Sequence, residues 1–195
     1  MALEHALLVA LRERPGSGLE LARRFDKSIG FFWHATHQQI YRVLGRMEND
    51  GWLAVEVVPQ SGKPDKKLYR VTGEGEQVLS DWLAAPTPLE HLRSEIAVKM
   101  RGASFGDREG VLEVLRGSIA DHHLRLEHFR RLEKEYADPA ALAGHQLDQY
   151  LVLRGGIRLE EFWIGWLEDY LAAHDAAHQQ QQHAQPQIAL TEGQP

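Results

Sequence analysis

The chain has 195 residues, 43% of them hydrophobic and 26% charged, enough for one large or two small domains with buried cores. It holds no cysteine, which excludes a disulfide framework and thiolate chemistry and fits a reducing compartment. No apolar run approaches the ~18 residues needed to span a membrane, and Met1-Ala2-Leu3-Glu4 is too short and too acidic to open a signal peptide, so a cytoplasmic protein without a membrane partner is expected.

The first helix is expected over residues 3–14, where Leu3, Ala6, Leu7, Ala10 and Leu11, widened by Leu8, recur at helical spacing until Pro15-Gly16 stops them. Ser17 followed by Glu20 forms a capping box that opens a second helix to about residue 28, with Leu19, Leu21, Ala22 and Phe25 as its apolar residues. An aromatic connection over residues 29–35 leads into a third helix over residues 36–51. Thr36 and Gln39 form its capping box, and Asn49-Asp50-Gly51 ends it.

In this third helix Ile40, Val43, Leu44 and Met47 make a buried stripe, while His37, Gln38, Tyr41, Arg42 and Arg46 fall largely off it. Glutamine and arginine on the first turns can reach base edges and phosphates in a major groove. An ordinary amphipathic surface helix would carry the same stripe, so the neighbouring segments decide between the two readings. After Gly51 the apolar period changes from 3.6 to 2. Leu53, Val55 and Val57 form one strand, residues 60–65 supply a turn, and residues 67–71 return as a second strand.

Three helices followed by a basic β-hairpin make a winged helix-turn-helix, with Lys63, Lys66 and Lys67 placed to touch phosphate. The charge distribution agrees. The formal net charge is -6, yet residues 1–85 hold 11 Lys+Arg against 11 Asp+Glu, and residues 23–70 hold 9 against 5. The candidate DNA-contacting set is therefore Thr36, His37, Gln38, Gln39, Tyr41, Arg42, Arg46, Lys63, Lys66 and Lys67.

A further helix is expected over residues 72–85, closed by Pro86. Thr87-Pro88-Leu89-Glu90 reads as the start of another, with Leu89, Leu92, Ile96, Val98 and Met100 as its core. Two long helices follow over residues 107–136 and 139–174, divided at Asp138-Pro139, with Asp107 as N-cap of the first. The first carries a coiled-coil-type seam that includes Leu115, Ile119, His122, Leu126 and Phe129. The second is apolar around most of its circumference at Phe162, Trp163, Trp166, Leu167 and Tyr170.

A two-helix hairpin covers only one side of such a helix, so a second copy of the chain is the simplest occupant of the other. Leu115, Ile119, Leu126, Phe129, Phe162, Trp163, Trp166, Leu167 and Tyr170 are the expected dimerisation residues. Gly155-Gly156 suggests a close crossing or a kink. Trp82, Leu89, Leu92 and Phe105 are expected where the two modules meet, either holding a small apolar or aromatic effector, as aromatic-lined clefts at domain interfaces do, or serving simply as interdomain core. The tail, rich in Gln and His, reads as disordered.

The fold class expected is mainly α with a small β-hairpin. Residues 1–85 form a winged helix-turn-helix DNA-binding domain, 86–174 an α-helical dimerisation domain, and 175–195 a disordered tail. No catalytic constellation, cofactor motif or metal-ligand spacing stands out: adjacent His122 and His123 cannot face one site on a helix, and no phosphate loop, GxSxG or HExxH is present. A rival reading uses the winged helix as a protein-interaction scaffold without DNA binding.

These residues resemble the PadR family of bacterial transcriptional regulators, in the longer form whose C-terminal part is similar to the virulence-activator α C-terminal domain. The likeness is carried by Ser17-Gly18-Leu19-Glu20-Leu21, by Gln39-Ile40-Tyr41-Arg42-Val43-Leu44 with Glu48, Asp50 and Gly51, by the wing from Gly62 to Tyr69 with Thr72, and more loosely by Trp166-Leu167. The resemblance implies a homodimer on double-stranded, pseudo-palindromic operator DNA, usually a repressor, with the third helix in the groove and Tyr41 and the wing on the backbone. It also implies a small, often planar aromatic effector for some members.

Overall fold

The computed structural model describes residues 2–26, 35–60, 62, 65–89 and 92–184. Most of the aromatic connection expected over residues 29–35, together with Lys63 and the chain after residue 184, lies outside the described residues. Two compact units divide at residues 90 and 91.

In the first unit the order is α1 (Ala2–Glu13), β1 (Gly16–Ser17), α2 (Gly18–Asp26), α3 (His37–Asn49), β2 (Leu53–Val58), β3 (Lys66–Val71) and α4 (Gly73–Ala84). Both capping boxes form. Thr36 accepts from the Gln39 amide while the Gln39 side chain accepts from the Thr36 amide at 2.9 Å, and Glu20 accepts from the Ser17 amide at 2.9 Å. At the far end of α3, Gly51 takes φ +77°, a conformation that favours glycine, and lets the Trp52 amide donate back to the Met47 carbonyl.

The stripe read from the sequence is the core. Leu7, Leu11, Leu21, Phe25, Ile40, Leu44 and Met47 are all fully buried in one cluster, each contributing about 1.5–3 kcal/mol by its removal from water. Leu19, read as one of the apolar residues of the second helix, is exposed instead. The wing is not a simple hairpin. Its strands lie in the order β1-β3-β2, all antiparallel, because Gly16 and Ser17 pair with Tyr69 and Leu68. Along β2 the burial fades from Leu53 to an exposed Val57 and Val58 as the strand leaves the helices.

The second unit contains α5 (Glu95–Gly102), a 3-10 turn at Ala103–Phe105, α6 (Arg108–Glu133), a second 3-10 turn at Pro139–Ala141 and α7 (Gly144–Ala184). Four expectations are corrected here. The helix anticipated from Thr87 begins only at Glu95, where Ser94 accepts from the Ala97 amide, and Leu89, Leu92 and Val98 are exposed rather than core. The long final helix does not stop at residue 174: residues 175–184, read as disordered, continue it. Alanine and glutamine are good helix formers, and each added residue extends a helix already nucleated, so the biased composition does not break it.

Gly155 and Gly156 leave α7 unbroken, with open space beside Gly155. Leu115, Leu167 and Phe129, anticipated as partner contacts, are buried within the chain itself. Helices α6 and α7 pack along their length, and Leu112, Leu115 and Leu167 close on Met100 of α5, while the Tyr170 hydroxyl donates to the Met100 carbonyl at 2.8 Å.

Candidate nucleic-acid interface

Helix α3 is positioned by its buried stripe against α1 and α2, which turns the opposite face outward. Thr36, His37, Gln38, Gln39, Tyr41, Arg42 and Arg46 are all exposed. They do not form one uniform set. Thr36 and Gln39 are engaged in capping the helix. The ring of Tyr41 lies over Gly18 at the start of α2, so that a Cβ on Gly18 would collide with it; only glycine lets the ring settle there. Arg46 turns toward α1 and pairs with Glu4, a carboxylate only 6% exposed. Gln38 and Arg42, on the first turns, extend into solvent, and among the described residues Arg42 enters no salt bridge.

The wing lysines are the first two residues of β3, and their side chains reach back to the two helices of the helix-turn-helix. Lys66 Nζ lies 2.8 Å from Glu20 of α2, and Lys67 Nζ lies 3.1 Å from Glu48 of α3. Adjacent residues of a strand point to opposite faces, so the two carboxylates hold the strand from two sides. The Lys66 ammonium, with the Ser17 amide and hydroxyl, lowers the Glu20 carboxyl from its ordinary 4.5 to about 2. The Glu48 carboxylate raises the Lys67 ammonium above its usual value.

The sign for Glu20 is that of a depressed acid: its contribution to folding is complete above about pH 4.5 and is lost as the pH falls toward about 2. A carboxyl titration followed by NMR is expected to show Glu20 ionising well below the ordinary glutamate value of 4.5. Lys66→Ala is expected to move its midpoint upward, and a midpoint that stays put would assign the shift to Ser17 alone. The sequence marked Glu20 only as a cap; its second role, and those of Glu4 and Glu48, went unseen because their partners lie 46, 42 and 19 positions away, respectively.

Further along the chain, the large apolar and aromatic side chains separate by burial. Phe162 is 55% exposed, Leu159 47% and Leu124 65%. Ile119, Leu126, Trp163, Trp166 and Tyr170 are half-buried. Phe162, Trp163 and Trp166 form a ring cluster with centroids 5.4–6.0 Å apart. The His122 ring stacks on Trp163 and is hydrogen-bonded through Nδ1 to the buried Glu160, an interhelical polar contact that the apolar seam pattern did not reveal. In the first unit Trp82 stacks on His5 at 4.4 Å, and Leu89 is exposed; in the second, Leu92 and Phe105 are exposed. No helix among the described residues is long and apolar enough to cross a membrane.

A helix with a polar outer face, a basic three-stranded wing at its side and a separate long-helix domain define a winged helix-turn-helix DNA-binding transcriptional regulator. Residues 7–81 match the transcriptional regulator PadR-like family, and residues 92–175 match the virulence activator alpha C-term family. The chain is 48% identical over 184 residues to a probable transcriptional regulator, Rv1176c, of Mycobacterium tuberculosis, covering 89% of this chain and 97% of that protein. The chain belongs to the PadR-like family of transcriptional regulators.

Among solved structures, Bacillus subtilis PadR in complex with operator DNA superposes with a TM-score of 0.78 at 28% identity, over 89% of this chain and 99% of that one. The same B. subtilis protein in complex with p-coumaric acid matches with a TM-score of 0.73 at 27% identity, over 90% and 99% of the two chains. The Vibrio cholerae virulence activator AphA matches with a TM-score of 0.74 at 29% identity, over 90% and 99%.

Proposed function

We propose that the protein acts as a homodimeric repressor that places two copies of α3 in successive major grooves of a pseudo-palindromic, double-stranded operator. The observation that carries this reading is the outward face of α3, where Gln38 and Arg42 extend freely from the first turns beside a wing that presents Lys66 and Lys67. Gln38 has the donor and acceptor pair that matches adenine, and Arg42 the fork that matches guanine or a phosphate. Tyr41 and the wing, together with Lys63, are assigned to the backbone; Thr36, His37 and Gln39 lie at the helix N-terminus, where a phosphate is favoured. The solved complex of B. subtilis PadR with operator DNA supports this assignment. A mobility shift with a duplex from the promoter of the protein's own gene tests it: no retardation at low salt would remove the assignment.

Two copies are assembled through the second unit. Phe162, Trp163 and Trp166, with Leu159, Leu124 and the half-buried Ile119, Leu126 and Tyr170, form the apolar surface assigned to the partner, since Leu115, Phe129 and Leu167 are consumed inside the chain. Phe162→Asp is expected to shift the sedimentation equilibrium from dimer toward monomer at micromolar concentration, with a helical circular-dichroism signal like that of the wild type. A variant that stays dimeric with unchanged affinity would move the interface elsewhere. A small aromatic effector is the ligand class assigned to the protein, with Trp82, Leu89, Leu92 and Phe105 proposed to recognise it. The solved complex of B. subtilis PadR with p-coumaric acid supports this ligand class.

A further inference from the structure

Both wing lysines face carboxylates that would compete directly with phosphate. Lys66 and Lys67 hold Glu20 and Glu48 at 2.8 Å and 3.1 Å, and the two acids come from different helices of the helix-turn-helix. All four side chains are a third to a half exposed, so water and DNA can reach the pairs. Exposed pairs of this kind are individually weak, and a phosphate can displace the carboxylate at small cost. They nonetheless fix where each ammonium stands relative to α3.

We propose that Glu20 and Glu48 are specificity-determining positioning residues, which hold the wing lysines at the spacing set by a seated recognition helix and suppress their use on DNA of any other sequence. The inference rests on the DNA-binding function proposed above. Affinity for non-operator DNA is almost wholly electrostatic, so every lysine free to swing on its flexible stem adds to it. A lysine held in place gains only where the phosphate stands at the matching position. On operator DNA the held lysine is already arranged and loses little freedom on binding, so releasing it trades order for charge with little net change. On other DNA the release is pure gain. The acids therefore act on the ratio of the two affinities, the quantity that matters against a genome of competing sites.

The test compares Glu20→Gln, Glu48→Gln and the double variant with the wild-type dimer, on an operator duplex and on a duplex of scrambled sequence. Glutamine keeps an oxygen to accept from the Ser17 amide, and Glu48→Gln touches no cap, so at least one variant retains the fold. Glu74→Gln is the control: it removes one exposed carboxylate from the same unit, and the wing lysines pair with other acids. The double variant is expected to bind the scrambled duplex ~10-fold more tightly, with a salt slope steeper by up to about 4, while operator affinity changes by less than ~3-fold. Equal changes on both duplexes, an unaltered slope on the scrambled one, or the same gain from Glu74→Gln would overturn the inference and leave the function intact. A wild-type protein without affinity for any duplex would overturn both.

Discussion

Between 50 and 200 mM salt, the affinity of the dimer for its operator is expected to fall about a thousandfold. Arg42, Lys63, Lys66 and Lys67 would give about eight phosphate contacts in a dimer, and counterion release at each would set a slope of log affinity against log salt of about -7. Lys66 and Lys67 begin in ion pairs, at Glu20 and Glu48. Each carboxylate released to solvent gathers cations of its own, which makes the slope shallower, to about -5. Fluorescence anisotropy across a salt series measures it directly. A slope shallower than about -2 would mean that the wing stands away from the backbone, and the wing assignment would fall.

Arg46→Ala is expected to destabilise the winged domain by about 2 kcal/mol, lowering its melting midpoint by roughly 10 °C, without shallowing that slope. Glu4 is 6% exposed, with one oxygen on Arg46 and the other without a hydrogen bond among the described residues. Removing the guanidinium leaves a buried carboxylate with no counter-charge, a change that costs about 3–5 kcal/mol when both partners are deeply buried. Arg46 itself is 45% exposed, so water reaches the pair and the cost is reduced. Glu4→Gln combined with Arg46→Ala is expected to recover part of the loss, and the double-mutant cycle read by thermal denaturation isolates the coupling. A stable Arg46→Ala protein whose salt slope is shallower by about 2 would instead place Arg46 on phosphate in each subunit.

What the sequence revealed follows the range of the forces involved. The boxes at Ser17 and Thr36 were legible because a cap is made within four residues, and the Ile40 stripe because a helix face repeats within a turn. Thr87-Pro88-Leu89-Glu90 carried the same local pattern and misled, since Ser94 caps the helix that forms. Nothing local marks Gly16-Ser17 as a strand: two residues become one only because Tyr69 and Leu68 arrive beside them. Arg46 looked like a phosphate ligand for the same reason, its carboxylate lying 42 positions earlier. In the second unit the seam pattern identified which residues are apolar, but it could not divide Leu115 and Leu167, used inside the chain, from Phe162, left outside. The Gln-rich run misled through composition, which carries no information about the helix upstream that extends into it.

The short strand β1 has a consequence for how the winged domain is made. It joins residues 16 and 17 to residues 69 and 68, and α1 also packs on α3, α4 and β3, with Arg12 paired to Glu76 of α4. Within the winged domain, the earlier-synthesised α1 and β1 are therefore completed by the later-synthesised β3 and α4. Such long-range closure raises the contact order, slows folding and makes it all-or-none. A nascent chain ending at Asp50 carries the three helices of the reading head, yet lacks β3 and α4 to cover α1, so Leu7, Leu8 and Leu11 have no complete core to enter. DNA-reading competence arrives only after about residue 84 has been synthesised, in one step, with the wing already in place.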